Sequence, residues 1–225
     1  MPCSTNCSDP GPLAPAAGKA LVVVGPTASG KSALALAVAV LAGDADALSA
    51  DSMQVYRGMD IGTAKPTPAE RSQVRHWGID LVDPHEPYSV GDYRRHAEQA
   101  LDAIDRSGRR PIVVGGTGLY VQALVDGLDI PGRYPDVRAV LDAEPDTGAL
   151  YGRLRDADSL AASRMEPTNR RRIVRALEVT LGSGRPFSAY GPGLDVYPPT
   201  PHLLVGIDRD RADLDRDRKS TRLNS

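Results

Sequence analysis

The sequence predicts an α/β fold: a parallel sheet covered by helices on both faces and interrupted by a helical insertion. Three observations predict it. A glycine-rich loop, Gly25-Pro26-Thr27-Ala28-Ser29-Gly30-Lys31-Ser32, joins an apolar run to an Ala/Leu-rich run. Short β-branched segments then alternate with amphipathic segments as far as Leu128. From Ile130 to Arg185 the alternation stops and only helical spacing remains, until Leu203-Leu204-Val205-Gly206-Ile207 returns to strand character.

Each element has a local reason. Leu21-Val22-Val23-Val24 is a short, wholly apolar run and reads as a buried strand. Ser32 to Leu41 is built of strong helix formers. Ala47-Ala50 reads as a short strand ending at Asp51. The polar, Gly/Pro-rich stretch Arg57 to Glu70 reads as a connection, and Ile79-Val82 as a further short strand closed by Asp83-Pro84. Ser89 opens a helix with Asp92 as its capping-box partner. Tyr93, Ala97, Ala100, Leu101 and Ile104 form the apolar face, and Gly108 stops the helix. Pro111-Val114 is the next strand, broken by Gly115-Gly116-Thr117-Gly118 before a helix from Leu119 to Leu128. Within the insertion, Asp136–Ala143, Gly148–Arg155, Ser159–Met165 and Arg170–Leu181 read as helices. The expected organisation is a flexible tail over 1–18, a core over 19–128, an insertion over 129–200 and a return to the core over 201–218.

Composition narrows the function. With 225 residues and a net charge of -2, nothing global demands a nucleic-acid partner, so any basic surface is local. Cys3 and Cys7 lack zinc-ligand spacing and sit in a small-residue-rich start. His76, His85, His96 and His202 show no ligand spacing either. Residues 1–18 have neither the basic nor the apolar region of a signal peptide, and no run reaches transmembrane length. A cytoplasmic protein without a membrane partner is expected.

Residues 25–32 match G-x-x-x-x-G-K-[ST], so the core reads as a phosphate-loop NTPase-like sheet. Glycines let the backbone approach a phosphate chain, and the following helix N-terminus points N–H groups at negative charge. Lys31 would reach the terminal phosphates and the Ser32 hydroxyl would hold Mg²⁺. The loop implies a diphosphate or triphosphate, ATP included, without saying what is done with it. Asp51, at the carboxyl end of a strand, can accept a proton or help hold Mg²⁺. Gly115-Gly116-Thr117-Gly118 leaves the sheet at the same edge and can form an anion-binding nest. Arg170-Arg171-Arg172 and Arg175 open a helix, where cations lack dipole support and suit phosphate contacts. From the residues alone, three readings stay open: a small-molecule or nucleotide kinase, a transferase with a diphosphate leaving group, and a non-catalytic nucleotide-binding switch.

The ordered motifs resemble those of the bacterial-type tRNA dimethylallyltransferases. They are Gly-Pro-Thr-Ala-Ser-Gly-Lys-Ser (25–32), Asp-Ser-Met-Gln-Val-Tyr (51–56), Met-Asp-Ile-Gly-Thr-Ala-Lys-Pro (59–66), Asp83-Pro84 with Tyr88-Ser89-Val90, Val-Gly-Gly-Thr-Gly-Leu-Tyr (114–120) and Arg-Ile-Val-Arg-Ala-Leu-Glu (172–178). The resemblance implies transfer of a dimethylallyl group from dimethylallyl diphosphate to the exocyclic amine of the adenine beside the anticodon, by a monomer that uses Mg²⁺. It implies that Gly25 to Ser32 hold the diphosphate, with Thr27 and Lys31 touching it and Ser32 near the metal. Asp51 is then the base, and Asp51, Ser52, Met53 and Gln54 line the tRNA-facing wall. Thr117, Arg138, Arg171, Arg172 and Arg175 fall at tRNA contacts. The family continues past this chain's last residue, with helices that complete the core and an arginine near the pyrophosphate. Residues 219–225 do not resemble it, and Arg222 falls near that arginine's register by coincidence. The resemblance therefore leads us to expect little activity and low solubility from the polypeptide as written, both rescued by a family-like C-terminal helical segment.

Overall fold

A computed structural model of the chain describes residues 19–190, 197–210 and 214. Two compact units are present: 19–127 with 198–210 and 214, and 128–190 with 197. The expected tail over 1–18 and the residues 219–225 lie outside the described residues, as does most of 211–218.

The first unit carries a five-stranded parallel sheet. Its strands are β1 (Leu21–Val24), β2 (Ala45–Ser49), β3 (His76–Trp77), β4 (Arg110–Gly115) and β5 (Leu203–Gly206), in the order β3-β2-β4-β1-β5. Alternation along the strands sends neighbouring side chains to opposite faces. Val22, Leu48 and Val113 point to one face, where α3 (Val90–Arg106) and α4 (Gly118–Val125) supply Tyr93, Ala97, Leu101, Tyr120 and Val121. Val23, Ala47 and Ile112 point to the other face, with Ala35 and Ala39 of α1 (Lys31–Ala42). Each large side chain removed from water this way stabilises the fold by about 1.5–3 kcal/mol. Both faces of β2 are buried, its Asp46 included. That carboxylate accepts from Trp77 Nε1 at 3.0 Å and Arg109 Nε at 2.5 Å, so the buried charge is paired. β5 forms an edge, where Leu203 and Leu204 are exposed.

The Ser89–Asp92 capping box opens α3, and all five expected face residues are buried. Two expectations fail. The third strand is His76–Trp77, not Ile79–Val82. Gly78 (φ +77°) and Asp80 (φ +54°) turn the chain out of extended geometry, and beyond them only Val82 bridges, to Tyr56. The stretch Arg57 to Glu70 is not all connection, because α2 (Pro68–Gln73) begins inside it. Thr67 and Glu70 form a complete capping box with proline in the first turn.

The second unit is helical among its described residues: α5 (Pro135–Ala143), α6 (Thr147–Ala157), α7 (Ser159–Ser163) and α8 (Arg170–Ser183). Leu141, Leu150, Leu154, Ile173 and Leu177 form its core. Asn169 caps α8, and Asp158 caps α7 while also accepting from Ser188 N at 2.8 Å. No helix among the described residues is long and apolar enough to cross a membrane.

Candidate active site

Because β1, β2 and β4 run in the same direction, their carboxyl ends meet at one edge of the sheet. There the segments after β1 and β2 enclose a cavity of about 380 Å³. The phosphate loop supplies Thr27, Ala28, Gly30, Lys31 and Ser32 to its lining. The β2 side supplies Ser49, Asp51, Met53 and Gln54, the following connection Gly62, Thr63 and Ala64, and the end of β4 Val114 and Gly115. Gly25, Pro26, Ser29, Ser52 and Thr117 are outside the lining. Gly25 has a packing reason: a Cβ there would lie 2.7 Å from Ser29 Oγ and 3.1 Å from the Ile207 carbonyl oxygen.

The loop enters α1 through Ala28 and Gly30, both with positive φ, at 69° and 86°. Lys31 Nζ donates to the Pro26 carbonyl at 3.3 Å. Burial lowers its pKa below the ordinary lysine value, opposed by the nearby Asp51 carboxylate. Ser29 Oγ is buried and has no hydrogen-bond partner among the described residues. Ser32 is exposed in the first turn of α1.

On the opposite wall, Asp51 Oδ1 accepts from Met53 N at 2.8 Å and fixes the turn after β2. Its Oδ2 has no hydrogen-bond partner among the described residues. Ser52 N donates to Thr117 Oγ1 at 3.0 Å, and Thr117 N donates to the Ala50 carbonyl at 3.3 Å. Thr117 thus joins the ends of β2 and β4. Gln54 is buried and its amide is fully engaged. Oε1 accepts from Ser49 Oγ at 2.8 Å, while Nε2 donates to the carbonyls of Thr63 (3.0 Å) and Ala64 (2.9 Å).

Sequence reasoning missed Lys65. Its side chain is 1% exposed, and Nζ reaches the Tyr56 carbonyl, Asp60 and Asp80, each at 2.8 Å. Arg71 also holds Asp80 at 2.8 Å. The motif around Lys65 was visible, but nothing local identifies a lysine whose partners lie up to fifteen residues away. Lys65→Met is expected to destabilise the chain by about 2–3 kcal/mol, the scale of a hydrogen bond to a charged group. A urea titration that leaves the midpoint unchanged would refute that structural role.

The candidate arginines belong to the helical unit. Arg171 and Arg172 are exposed, and their guanidiniums have no partner among the described residues. Arg170 donates to the Asp142 and Glu144 carbonyls at the end of α5, at 3.2 and 2.6 Å. Arg138 pairs with Asp142 at 2.8 Å, and Arg175 with Glu178 at 2.8 Å.

With this geometry in view, the similarity to known proteins is informative. A tRNA dimethylallyltransferase of Streptomyces coelicolor is 48% identical over 204 residues, which are 89% of this chain and 64% of that protein. One of Salinispora arenicola is 50% identical over 203 residues, 89% of this chain and 58% of that protein. The chain therefore spans about three fifths of the length of these curated relatives. Among solved structures, the tRNA delta(2)-isopentenylpyrophosphate transferase of Staphylococcus epidermidis matches with a TM-score of 0.56 and 32% identity, over 92% of this chain and 70% of that one. A eukaryotic dimethylallyltransferase acting on tRNA matches with a TM-score of 0.77 and 25% identity, over 92% and 54%. The IPP transferase family model covers residues 54–224, and on that match the chain belongs to the IPP transferase family.

Proposed function

We propose that this chain carries the catalytic core of a tRNA dimethylallyltransferase. It moves the dimethylallyl group of dimethylallyl diphosphate to the exocyclic amine of the adenine beside the anticodon. One observation carries the reading: a single cavity is lined by both the phosphate loop, with Lys31, and the Asp51 carboxylate. A phosphate-loop kinase can use the same pair, so the membership of the IPP transferase family is what favours the transferase.

The residues divide the work. Lys31 and the loop N–H groups bind the diphosphate and stabilise the negative charge that grows on it. Thr27 contacts the same group. Asp51, held by the Met53 amide, takes the proton of the exocyclic amine. The nitrogen bonds to the allylic carbon, the carbon–oxygen bond breaks, and pyrophosphate leaves. The reacting adenine must be out of its stack, so the cavity has to admit a free base edge. Met53 and Gln54 line the cavity on that side, with Ser52 and Thr117 bonded to each other beside it. Met53 is exposed, while Gln54 and Thr117 hold the wall in shape. Arg171 and Arg172 supply unpaired cations for tRNA phosphates, with Arg138 and Arg175 as paired neighbours.

A magnesium ion fits this donor set. Mg²⁺ keeps several waters and takes substrate phosphates rather than a full protein cage. The Ser32 hydroxyl and the Asp51 carboxylate line the same cavity, and no cluster of three or more acidic, His or Cys ligands exists among the described residues. When bound, the ion would neutralise charge on the diphosphate.

The deciding experiment takes a chimera that continues this chain with the C-terminal part of the Streptomyces coelicolor relative, and incubates it with labelled dimethylallyl diphosphate and bulk tRNA, and in parallel with ATP and small acceptors. Label in tRNA is expected; phosphoryl transfer without it overturns the proposal in favour of a kinase. Lys31→Ala is expected to cut transfer by about a hundredfold or more, with weaker binding of inorganic pyrophosphate. Pyrophosphate affinity equal to wild type would remove the loop from the mechanism.

A further inference from the structure

Glu178 is a charged side chain buried in the helical unit, 5% exposed, and its three neighbours converge on one loop. Oε1 accepts from Arg175 Nη1 at 2.8 Å and from Tyr134 N at 2.9 Å, and Oε2 lies 3.7 Å from Arg138 Nη1. Arg175 Nη2 donates in turn to the carbonyls of Pro131 (2.9 Å) and Gly132 (3.0 Å). The Gly132 carbonyl belongs to the peptide before Arg133, and the Tyr134 N–H to the peptide after it. Both peptide planes flanking Arg133 are therefore fixed. The Tyr134 ring also lies so close to α8 that a Cβ on Gly182 would stand 2.1 Å from its Cγ. Yet the Arg133 side chain is exposed and makes no ion pair or hydrogen bond among the described residues.

We propose that Arg133 is a phosphate-contacting residue of the RNA-facing surface, and that Glu178, acting through Arg175, is the residue that positions it. The inference rests on the tRNA reading above and adds a contact to it. A buried carboxylate is a weak route to stability, so its three-way clamp is better explained by what it holds in place. Arg171 stands one turn before Arg175 on the same stripe of α8 and is also unpaired, which puts excess positive charge along the stripe. Phosphodiester oxygens match such a row, and the planar guanidinium can engage them bidentately. Holding the loop still beforehand lowers the ordering cost of that contact.

The test measures bulk tRNA binding to the chain across a salt series. Arg133→Gln is expected to weaken binding at low salt and to reduce counterion release by about one ion, with inorganic pyrophosphate affinity unchanged. Arg133→Lys should restore the salt slope but not the full affinity. Glu178→Gln should lose part of the same increment, and adding it to Arg133→Gln should cost little more, because the two act as one unit. A salt slope for Arg133→Gln equal to wild type overturns the contact. Fully additive losses overturn the positioning role of Glu178. Absence of salt-dependent tRNA binding in the wild type alone overturns the tRNA reading, and this inference with it.

Discussion

Asp51→Asn is expected to reduce prenyl transfer by about 10²- to 10⁴-fold while leaving tRNA affinity within a few-fold of wild type. The substitution is nearly isosteric, and the asparagine oxygen can still accept from the Met53 amide, so the turn after β2 is retained. What is lost is a group able to take the amine proton. The measurement is single-turnover transfer and tRNA binding in parallel. It is best made on a chimera that continues the chain with the C-terminal part of the Streptomyces coelicolor relative, of which the chain spans 64%. Normal single-turnover chemistry with collapsed tRNA binding would make Asp51 a binding residue and leave the base unidentified.

Gly115→Ala should be the most damaging small substitution in the sheet. A Cβ at this position would lie 2.1 Å from the Ala50 carbonyl oxygen, 2.5 Å from its carbon and 2.6 Å from the Ala50 Cβ. These are mostly backbone atoms, so no rotamer change relieves the contact, and β2 and β4 must separate just below the cavity. The expected cost is about 3 kcal/mol, at the upper end for overpacking. For a chain of this size that corresponds to a fall in Tm of about 6–12 °C. Gly118→Ala provides the control three residues on, since nothing lies within 4 Å of its Cβ position. Equal melting temperatures for the two variants would show that the close approach of Gly115 to Ala50 does not matter.

That contrast indicates what the sequence could reveal. Gly115-Gly116-Thr117-Gly118 reads as an anion nest because consecutive glycines and a hydroxyl leave a strand at the ligand edge. Thr117 Oγ1 accepts from the Ser52 amide, and Gly115 both lines the cavity and meets the Ala50 backbone across the strands. The strands and most helices were readable because their signals are local: apolar runs, capping boxes and helical spacing. β3 was misplaced by a few residues because Ile79-Val82 has strand composition, while the positive φ at Gly78 and Asp80 is set by tertiary packing. α2 was missed although Thr67-Pro68-Ala69-Glu70 is a complete start signal, because surrounding Gly and Pro outweighed it. In the arginine helix, residue type alone could not separate Arg171 and Arg172 from Arg170 and Arg175. The latter two are engaged by carbonyls of distant residues, and Arg175 also by the buried Glu178 carboxylate one turn on.

The two walls of the cavity differ in mechanical stiffness. Residues 59–65 behave as a beam clamped at both ends. The uncharged Gln54 amide grips the carbonyls of Thr63 and Ala64, the buried Lys65 ammonium grips Tyr56, Asp60 and Asp80, and Thr63 Oγ1 closes back on the Met59 carbonyl at 2.7 Å. Among the described residues the facing loop is held by fewer side-chain bonds: Arg209 Nη1 donates to the Ala28 carbonyl at 3.2 Å, Lys31 Nζ to the Pro26 carbonyl at 3.3 Å, and Ser29 Oγ has no partner. Compliance is therefore concentrated on the phosphate side. In the proposed reaction the wall facing the base would keep its shape, and adjustment to an incoming ligand would fall to the phosphate loop.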